Sequence, residues 1–502
     1  MKTVLSVALV AATFAGSTAW AGKADDTLRI AFKDELENLD AYQNSARTGI
    51  ILARHVWDGL IYRDPITSEY LGNLATAWKW IDDTTIEFTL REGVTFHNGE
   101  VFNADDVVYT MNFVADPANG VRPARNVEWI KGAEKVNDTT ARVMLKYPFP
   151  AALEFFAGAL PIYPNEYHSQ VGPEGMSAHP IGIGPYKFLS NVQGEQILLE
   201  RNDNYYAGSP KGIPAIKNID WRTIPEDNTE FAELLSGGLD WIWKVETDQA
   251  DRFAAMGQFT VVNETTMRIG YLAMDAAGRS GDTPLKDVRV RRAIAHAIDR
   301  QGMVDTLIKG ASVVVNSACF PSQFGCEQDV VKYDYDPEKA KALLAEAGYP
   351  DGFEITLSTN HFDAPPEAIQ QYLAAVGIKA TLDRAQYGAL YDRVQTGEVP
   401  FRLMNWGSYS INDVSAITSQ FFRGGGDDYA RDPEVMAWLE TADTVNDPDE
   451  RRANYSKALK KIAEEVYWLP TYTFNLNYVY NPSLNFQPTS DEIPRFFNAS
   501  WN

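Results

Sequence analysis

Residues 71–112, LGNLATAWKWIDDTTIEFTLREGVTFHNGEVFNADDVVYTMN, read in unbroken order as a polar turn, an alternating strand, a tight turn and a capped helix. Ile86, Phe88 and Leu90 alternate with Thr85, Glu87 and Thr89, the pattern of a strand with one buried face. Asn98 and Gly99 tolerate the positive φ of a tight turn. Asn103 is placed to cap the helix, and Asp105 and Asp106 lie in its first turn, where the helix dipole favours carboxylates. Val107, Val108, Met111 and Val114 supply its apolar stripe. Strand and helix signals keep alternating along the chain, which predicts an α/β architecture.

Two further helices are punctuated as clearly. Asp336 caps one with Pro337 at its first position, Ala340, Leu343, Leu344 and Ala347 face inward, and Gly348 and Pro350 end it. Asp447-Pro448-Asp449-Glu450 opens the other, with Tyr455, Leu459, Ile462 and Val466 as its stripe. A third, arginine-rich helix is defined by Val290, Ile294, Ala297 and Ile298, with Arg289, Arg291 and Arg292 expected as solvated or paired structural charges. Beyond Leu469-Pro470 runs an alternating strand and then an aromatic tail, Tyr478, Tyr480, Phe486, Phe496, Phe497 and Trp501, which must be buried.

The amino end has Lys2, an apolar run over residues 4–16 and Ala19-Trp20-Ala21, the signature of a secretory signal peptide cleaved after Ala21. No later stretch approaches the roughly 20 apolar residues that a membrane-spanning helix needs. A freely diffusing periplasmic protein is expected, a monomer of two or more lobes, because 502 residues exceed what one core usually organises. The formal net charge of −23 argues against nucleic acid, whose phosphates require clustered Lys and Arg. Cys319 and Cys326, the two cysteines of an exported chain, are expected to form a local disulfide.

Catalytic signals are missing. The chain has no G-x-S-x-G, H-E-x-x-H, C-x-x-C or G-x-x-x-x-G-K, and its six histidines, at 55, 97, 168, 179, 296 and 361, show no metal-ligand spacing. No enzyme activity, cofactor or metal is expected. Aromatics are abundant instead, with 12 Trp, 24 Tyr and 24 Phe, enough to fill cores and also to wall a cleft.

Residues 71–112 resemble the signature region of the extracytoplasmic solute-binding proteins of ABC importers, peptide/nickel (family 5) type. Further segments match that family in order: PIGIGPYKF at 180–188, KDVRVRRAIAHAIDRQGMV at 286–304, YDYDPEKAKALLAEAGYPDGF at 333–353 and FRLMNWGSYSIND at 401–413. The resemblance implies a two-lobed periplasmic binding protein (type II, cluster C). Residues 22–50, 175–268 and 476–502 would form the first lobe, 51–174 a subdomain inserted in it, and 269–475 the second lobe. It also implies a small dissolved ligand and, as partners, the ABC permease subunits of the inner membrane.

By the same resemblance the ligand-contacting candidates are Asn38, Trp243, Tyr271, Met274, His361, Arg402, Asn405, Trp406, Gly407, Tyr409 and Asp413. Trp243 follows a segment similar to the family's G-x-x-D, Tyr271 and Met274 lie on its hinge-crossing strand, and residues 401–413 are similar to its Gly-Trp cleft segment. Two departures stand out. Where dipeptide and oligopeptide binders of this family place an aspartate for the peptide ammonium, three residues past the Trp, this chain has Tyr409, with Asp413 four residues on. A neutral phenol cannot supply the charge-assisted bond that a buried ammonium requires. Where dipeptide binders place an arginine for the ligand carboxylate, the nearest equivalent here is His361, which offers one directional bond and no bidentate fork. A peptide-like solute is the first expectation. An oligosaccharide or other aromatic-stacked solute, a nickel chelate, or a sensory role docking on a chemoreceptor are the alternatives.

Overall fold

A computed structural model describes residues 22–361 and 364–502, the Tyr409 side chain excepted. The expected signal peptide, residues 1–21, lies outside the described residues. The opening stretch folds as read. Ile86, Phe88 and Leu90 are buried on the strand Thr85–Leu90, and Gly99 takes φ +91° in a turn closed by its own N–H on the Phe96 carbonyl. The helix Ala104–Ala115 starts with a reciprocal cap: Asn103 accepts the Asp105 N–H, and Asp106 reaches back to the Asn103 N–H. Thr110 is buried on its inner face, and Val108 only partly. The structure adds a strand, Ala75–Asp82, paired antiparallel with Thr85–Leu90 at the edge of a four-stranded sheet. Its exposed Thr76, Ala77 and Lys79 leave little apolar alternation to read.

A ten-stranded sheet unites the two halves of the chain. On one side lie Tyr186–Val192, Gln196–Arg201, Asn218–Thr223, Thr27–Phe32 and Trp241–Trp243, on the other Phe353–Thr359, Ile378–Arg384 and Phe401–Trp406. Two long strands, Thr260–Met274 and Trp468–Tyr480, pass from one side to the other as an antiparallel pair. Their pairing is regular from Thr260 to Thr265, then slips between Thr265 and Ile269 and again between Ile269 and Tyr271. Such slips leave backbone groups outside the ladder and bend the strand, which is where a hinge between rigid bodies belongs.

The apolar clusters divide at the same place. One gathers Leu28, Trp57, Phe88, Trp129, Trp241 and the tail residues Tyr478, Phe486, Phe496 and Phe497. Two others gather residues from Met267 to Tyr472. Ile411 is the exception, a residue of the second half buried in the cluster of the first.

The arginine-rich helix Val288–Ala297 shows why its charges are structural. Arg291 donates to the carbonyls of Leu285, Lys286 and Glu465, and Arg292 to that of Glu464, so both satisfy carbonyls at the end of the helix Pro448–Glu464. Cys319 and Cys326 are disulfide-bonded, with Cα atoms 5.7 Å apart. Among the described residues no helix is long and apolar enough to cross a membrane, and no cluster of side chains could hold a metal ion.

Candidate functional site

The strand Phe401–Trp406 ends at Gly407 and runs into a short turn, Ser408–Ser410, before the helix Ser415–Phe422 begins. Ser408 and Ser410 both have positive φ, +51° and +66°, a strained conformation for residues that carry a Cβ. Contacts from the opposite half hold the turn in place. Arg47 donates to Ser410 Oγ, Arg63 to the Ser410 carbonyl (3.3 Å), and Ser410 Oγ to the Asp491 carbonyl (2.6 Å). Glu154 accepts the Asn412 N–H at 2.8 Å, and Asn412 Nδ2 donates to Ser68 Oγ at 3.1 Å. The turn therefore bridges the two halves, and Ile411 lines both spaces beside it, one with Tyr42 and Arg54 and the other with Trp129 and Phe155.

Three spaces lie around it, the first sharing lining residues with each of the other two. The first, about 70 Å³, is lined by the loop 41–45, by the helix Arg47–Val56 through Ile50 and Arg54, by Arg63, Arg122 and Glu154, and by Ser410, Ile411 and Arg495. The second, about 490 Å³, has an aromatic wall of Trp129, Tyr147, Phe149 and Phe155 facing Ser415, Gln420, Arg423 and Arg451. The third, about 360 Å³, lies beside the hinge between Ser45, Arg47 and Ile50 on one side and Asn360, Tyr387, Asn405, Trp406 and Gly407 on the other, with Arg268 from the hinge strand. The second and third have the volume of a small-molecule site.

Of the candidates read from the sequence, Asn405, Trp406 and Gly407 line this cleft. Asn405 Oδ1 accepts from Arg268 Nη1 (2.8 Å), and its amide nitrogen lies 3.1 Å from His361 Nε2. His361 thus stands behind Asn405, stacked against Phe474 with ring centroids 5.9 Å apart. Trp406 Nε1 donates to the Ala416 carbonyl (2.9 Å), its ring packs edge-on against Phe421, and the Arg125 guanidinium lies over it at 5.5 Å. Gly407 leaves space for Arg268, whose Nη2 would lie 3.1 Å from a Cβ there. Tyr409 contributes backbone to the bridging turn, and its side chain lies outside the described residues.

The remaining candidates sit elsewhere, and packing gives the reason. Tyr271 stacks flat on Trp468, centroids 3.5 Å apart, inside the second lobe. Met274 is fully buried in a neighbouring cluster. Arg402 is also fully buried, its guanidinium 4.3 Å above the Tyr429 ring and donating to the Asp427 carbonyl. Trp243 belongs to the first lobe's aromatic cluster with Phe32 and Tyr478, under the Lys244 ammonium. Asp413, four residues past Tyr409, pairs with Arg451 at 2.8 Å and accepts from Ser415. Asn38 accepts the Asp40 N–H and so shapes the loop that precedes the helix Arg47–Val56.

The residues that sequence reading missed are the arginines. Arg63 pairs with Glu154 (3.2 Å), Arg268 with Glu492 (3.3 Å) and Arg495 with Asp491 (2.6 Å). Arg54 donates to the Ala157 carbonyl (2.7 Å), and its Nε has no hydrogen-bond partner among the described residues. Burial, with repulsion from Arg495 and Arg63, lowers its pKa to about 10. Burial would raise the Glu492 carboxyl, but Arg268 and Arg47 hold it below its ordinary value.

A lobed α/β chain whose cleft is bridged by a strained turn and floored by a two-strand hinge is built to close on a solute. The chain belongs to the bacterial extracellular solute-binding proteins, family 5, whose middle region it matches over residues 69–429. It is 27% identical over 457 residues to the glutathione-binding protein GsiB of Salmonella typhi, spanning 88% of each chain. Among solved structures it is similar to HbpA2 from Haemophilus parasuis, with a TM-score of 0.83 and 24% identity over 95% of this chain and all of that one. It is also similar to a dipeptide-binding protein from Pseudoalteromonas sp. SM9913 in complex with Met-Leu, with a TM-score of 0.77 and 23% identity over 95% of this chain and all of that one. The fold is that of two-lobed periplasmic binding proteins.

Proposed function

We propose that this protein is the periplasmic solute-binding component of an ABC importer, which captures a peptide-like small solute between its lobes and presents the closed form to the membrane permease. One observation carries the reading: a single turn, residues 408–412, makes polar contacts to Arg47, Ser68, Arg63 and Glu154 across a cleft that includes two spaces of ligand-sized volume. A solute that binds both walls stabilises the closed arrangement, so its affinity is converted into closure. The peptide-like class is supported by the curated relatives, which are glutathione-binding proteins, and by a neighbour solved with a dipeptide.

The lobes are taken to divide as the sequence predicts, near residues 268 and 475, because the apolar clusters separate there. Export by the amino-terminal segment and a monomeric state complete the proposal. Trp243 and Tyr271, being core residues, offer no stacking wall to an oligosaccharide. No catalytic role is proposed.

Isothermal titration with glutathione and a panel of di- and tripeptides, paired with small-angle X-ray scattering, tests the reading. Binding with a smaller radius of gyration is expected. Indifference to every peptide, together with closure on an oligosaccharide, would overturn it.

A further inference from the structure

We propose that the solute is anionic and that it places a carboxylate on Arg54, deep in the first of the three spaces. The choice of probes rests on the peptide-like reading above, but the argument rests on charge matching within the cleft. That space is lined by four arginines, Arg54, Arg63, Arg122 and Arg495, and by one carboxylate, Glu154.

Glu154 is fully engaged. Its two oxygens take the Tyr70 hydroxyl (2.6 Å), Arg63 (3.2 Å) and the Asn412 N–H (2.8 Å). The carboxylates behind the wall are matched as well: Asp491 by Arg495, Glu492 by Arg268 and Arg47, and Asp413 by Arg451. Burial would push the Asp491 carboxyl up, yet Arg495 and Arg63 overcome it and hold Asp491 well below the ordinary carboxylate range. An incoming ammonium therefore meets acids that already carry their counter-charges.

An incoming carboxylate meets the reverse. Arg54 is half-buried, spends one N–H on a backbone carbonyl, pairs with no carboxylate among the described residues, and keeps a buried Nε unused. Its guanidinium occupies room that only a glycine leaves, for a Cβ on Gly158 would lie 2.1 Å from Arg54 Nη2. Arg495 and Arg63 disfavour its charge and Asp491 favours it, but the four arginines on this wall outnumber the acids beside them, Glu154 and Asp491, so the cleft holds an excess of positive charge. A guanidinium in this position offers the forked donors that a carboxylate accepts most strongly. The chain as a whole carries −23, so long-range attraction does not draw anions in, and discrimination must come from this local cluster.

The test is affinity selection from an equimolar mixture of Ala-Glu-Ala, Ala-Gln-Ala and Ala-Lys-Ala, with retained peptides quantified by mass spectrometry. Wild type, Arg54→Gln and Arg54→Lys are compared, and the melting temperature of each empty protein is recorded to show that it folds. The acidic peptide should be enriched about tenfold or more over its amide analogue in the wild type, most of that enrichment should vanish in Arg54→Gln, and Arg54→Lys should recover part of it. The empty Arg54→Gln protein should melt no lower than wild type, because the substitution removes an unmatched buried charge.

Retention of neutral or basic peptides, or an acidic preference that survives Arg54→Gln, overturns the inference and leaves the peptide-like reading standing. If no peptide is retained, that reading fails, and the non-peptide tricarboxylate tricarballylate decides the inference. A rise in melting temperature for wild type but not for Arg54→Gln upholds it, and equal responses or none overturn it.

Discussion

Replacing Glu154 by Gln should open the protein. The carboxylate accepts the Asn412 N–H across the cleft at 2.8 Å, and the same group accepts from Tyr70 and pairs with Arg63 within the first lobe. The glutamine amide can keep one oxygen acceptor, so the loss is the charge on a hydrogen bond that is buried at both ends. Bonds of that kind contribute about 1.5–3 kcal/mol. Taking about 2 kcal/mol for the interlobe bond alone, the equilibrium between open and closed forms shifts about 30-fold toward open. Because solute binds productively to the closed form, the apparent Kd should weaken by a similar factor, with contacts to the solute itself unchanged. Small-angle scattering of the empty and solute-saturated variant, with titration calorimetry, reads both quantities. The Tyr70 and Arg63 interactions persist in either form, so their loss should appear separately, as a lower melting temperature. A variant that melts lower yet closes as readily as wild type would refute the assignment of Glu154 to the latch.

Other consequences are as specific. Trp406→Ala should cost about 3–5 kcal/mol in denaturant unfolding of the empty protein, because the indole is buried against Phe421 and bonded to Ala416. A purely ligand-facing wall would show a loss of affinity without that cost. His55 is satisfied as a neutral ring, with one nitrogen 2.7 Å from the Ile51 carbonyl and the other 3.1 Å from the Phe496 N–H, and burial depresses its pKa to about 3. The unfolded chain then binds the extra proton first, so stability falls as pH drops below about 6.5, by about 2 kcal/mol at pH 5, and a titration in which His55→Gln and wild type lose stability in parallel over that interval would contradict this. Replacing Cys319 and Cys326 together by Ser should cost about 2–3 kcal/mol from the loop-closure relation, visible in the unfolding of the second lobe and absent from that of the first.

The capped helices and the half-buried strand were legible because their signals are local: a cap and its acceptors lie within three residues, and a strand shows its buried face by alternation. The cleft was legible where the chain doubles back on itself, at Asn405, Trp406 and Gly407. Tyr271 and Trp243 misled because an aromatic at a hinge strand fits a core or a cleft equally well by sequence, and the partner that decides, Trp468 for Tyr271, is almost 200 residues away. The arginine cluster was less legible still. Arg47 and Arg54 lie two turns apart on one helix face and could have been noticed as a pair, but Arg63, Arg122, Arg268 and Arg495 join them only through tertiary folding.

The Ile411 side chain, carried by the second lobe, is buried in the first lobe's apolar cluster. Hiding an isoleucine from water is worth about 1.5–3 kcal/mol, and this gain is present whether or not nutrient is bound. The vacant protein is thereby drawn toward the compact shape on its own account. Shape alone is then an imperfect report of cargo.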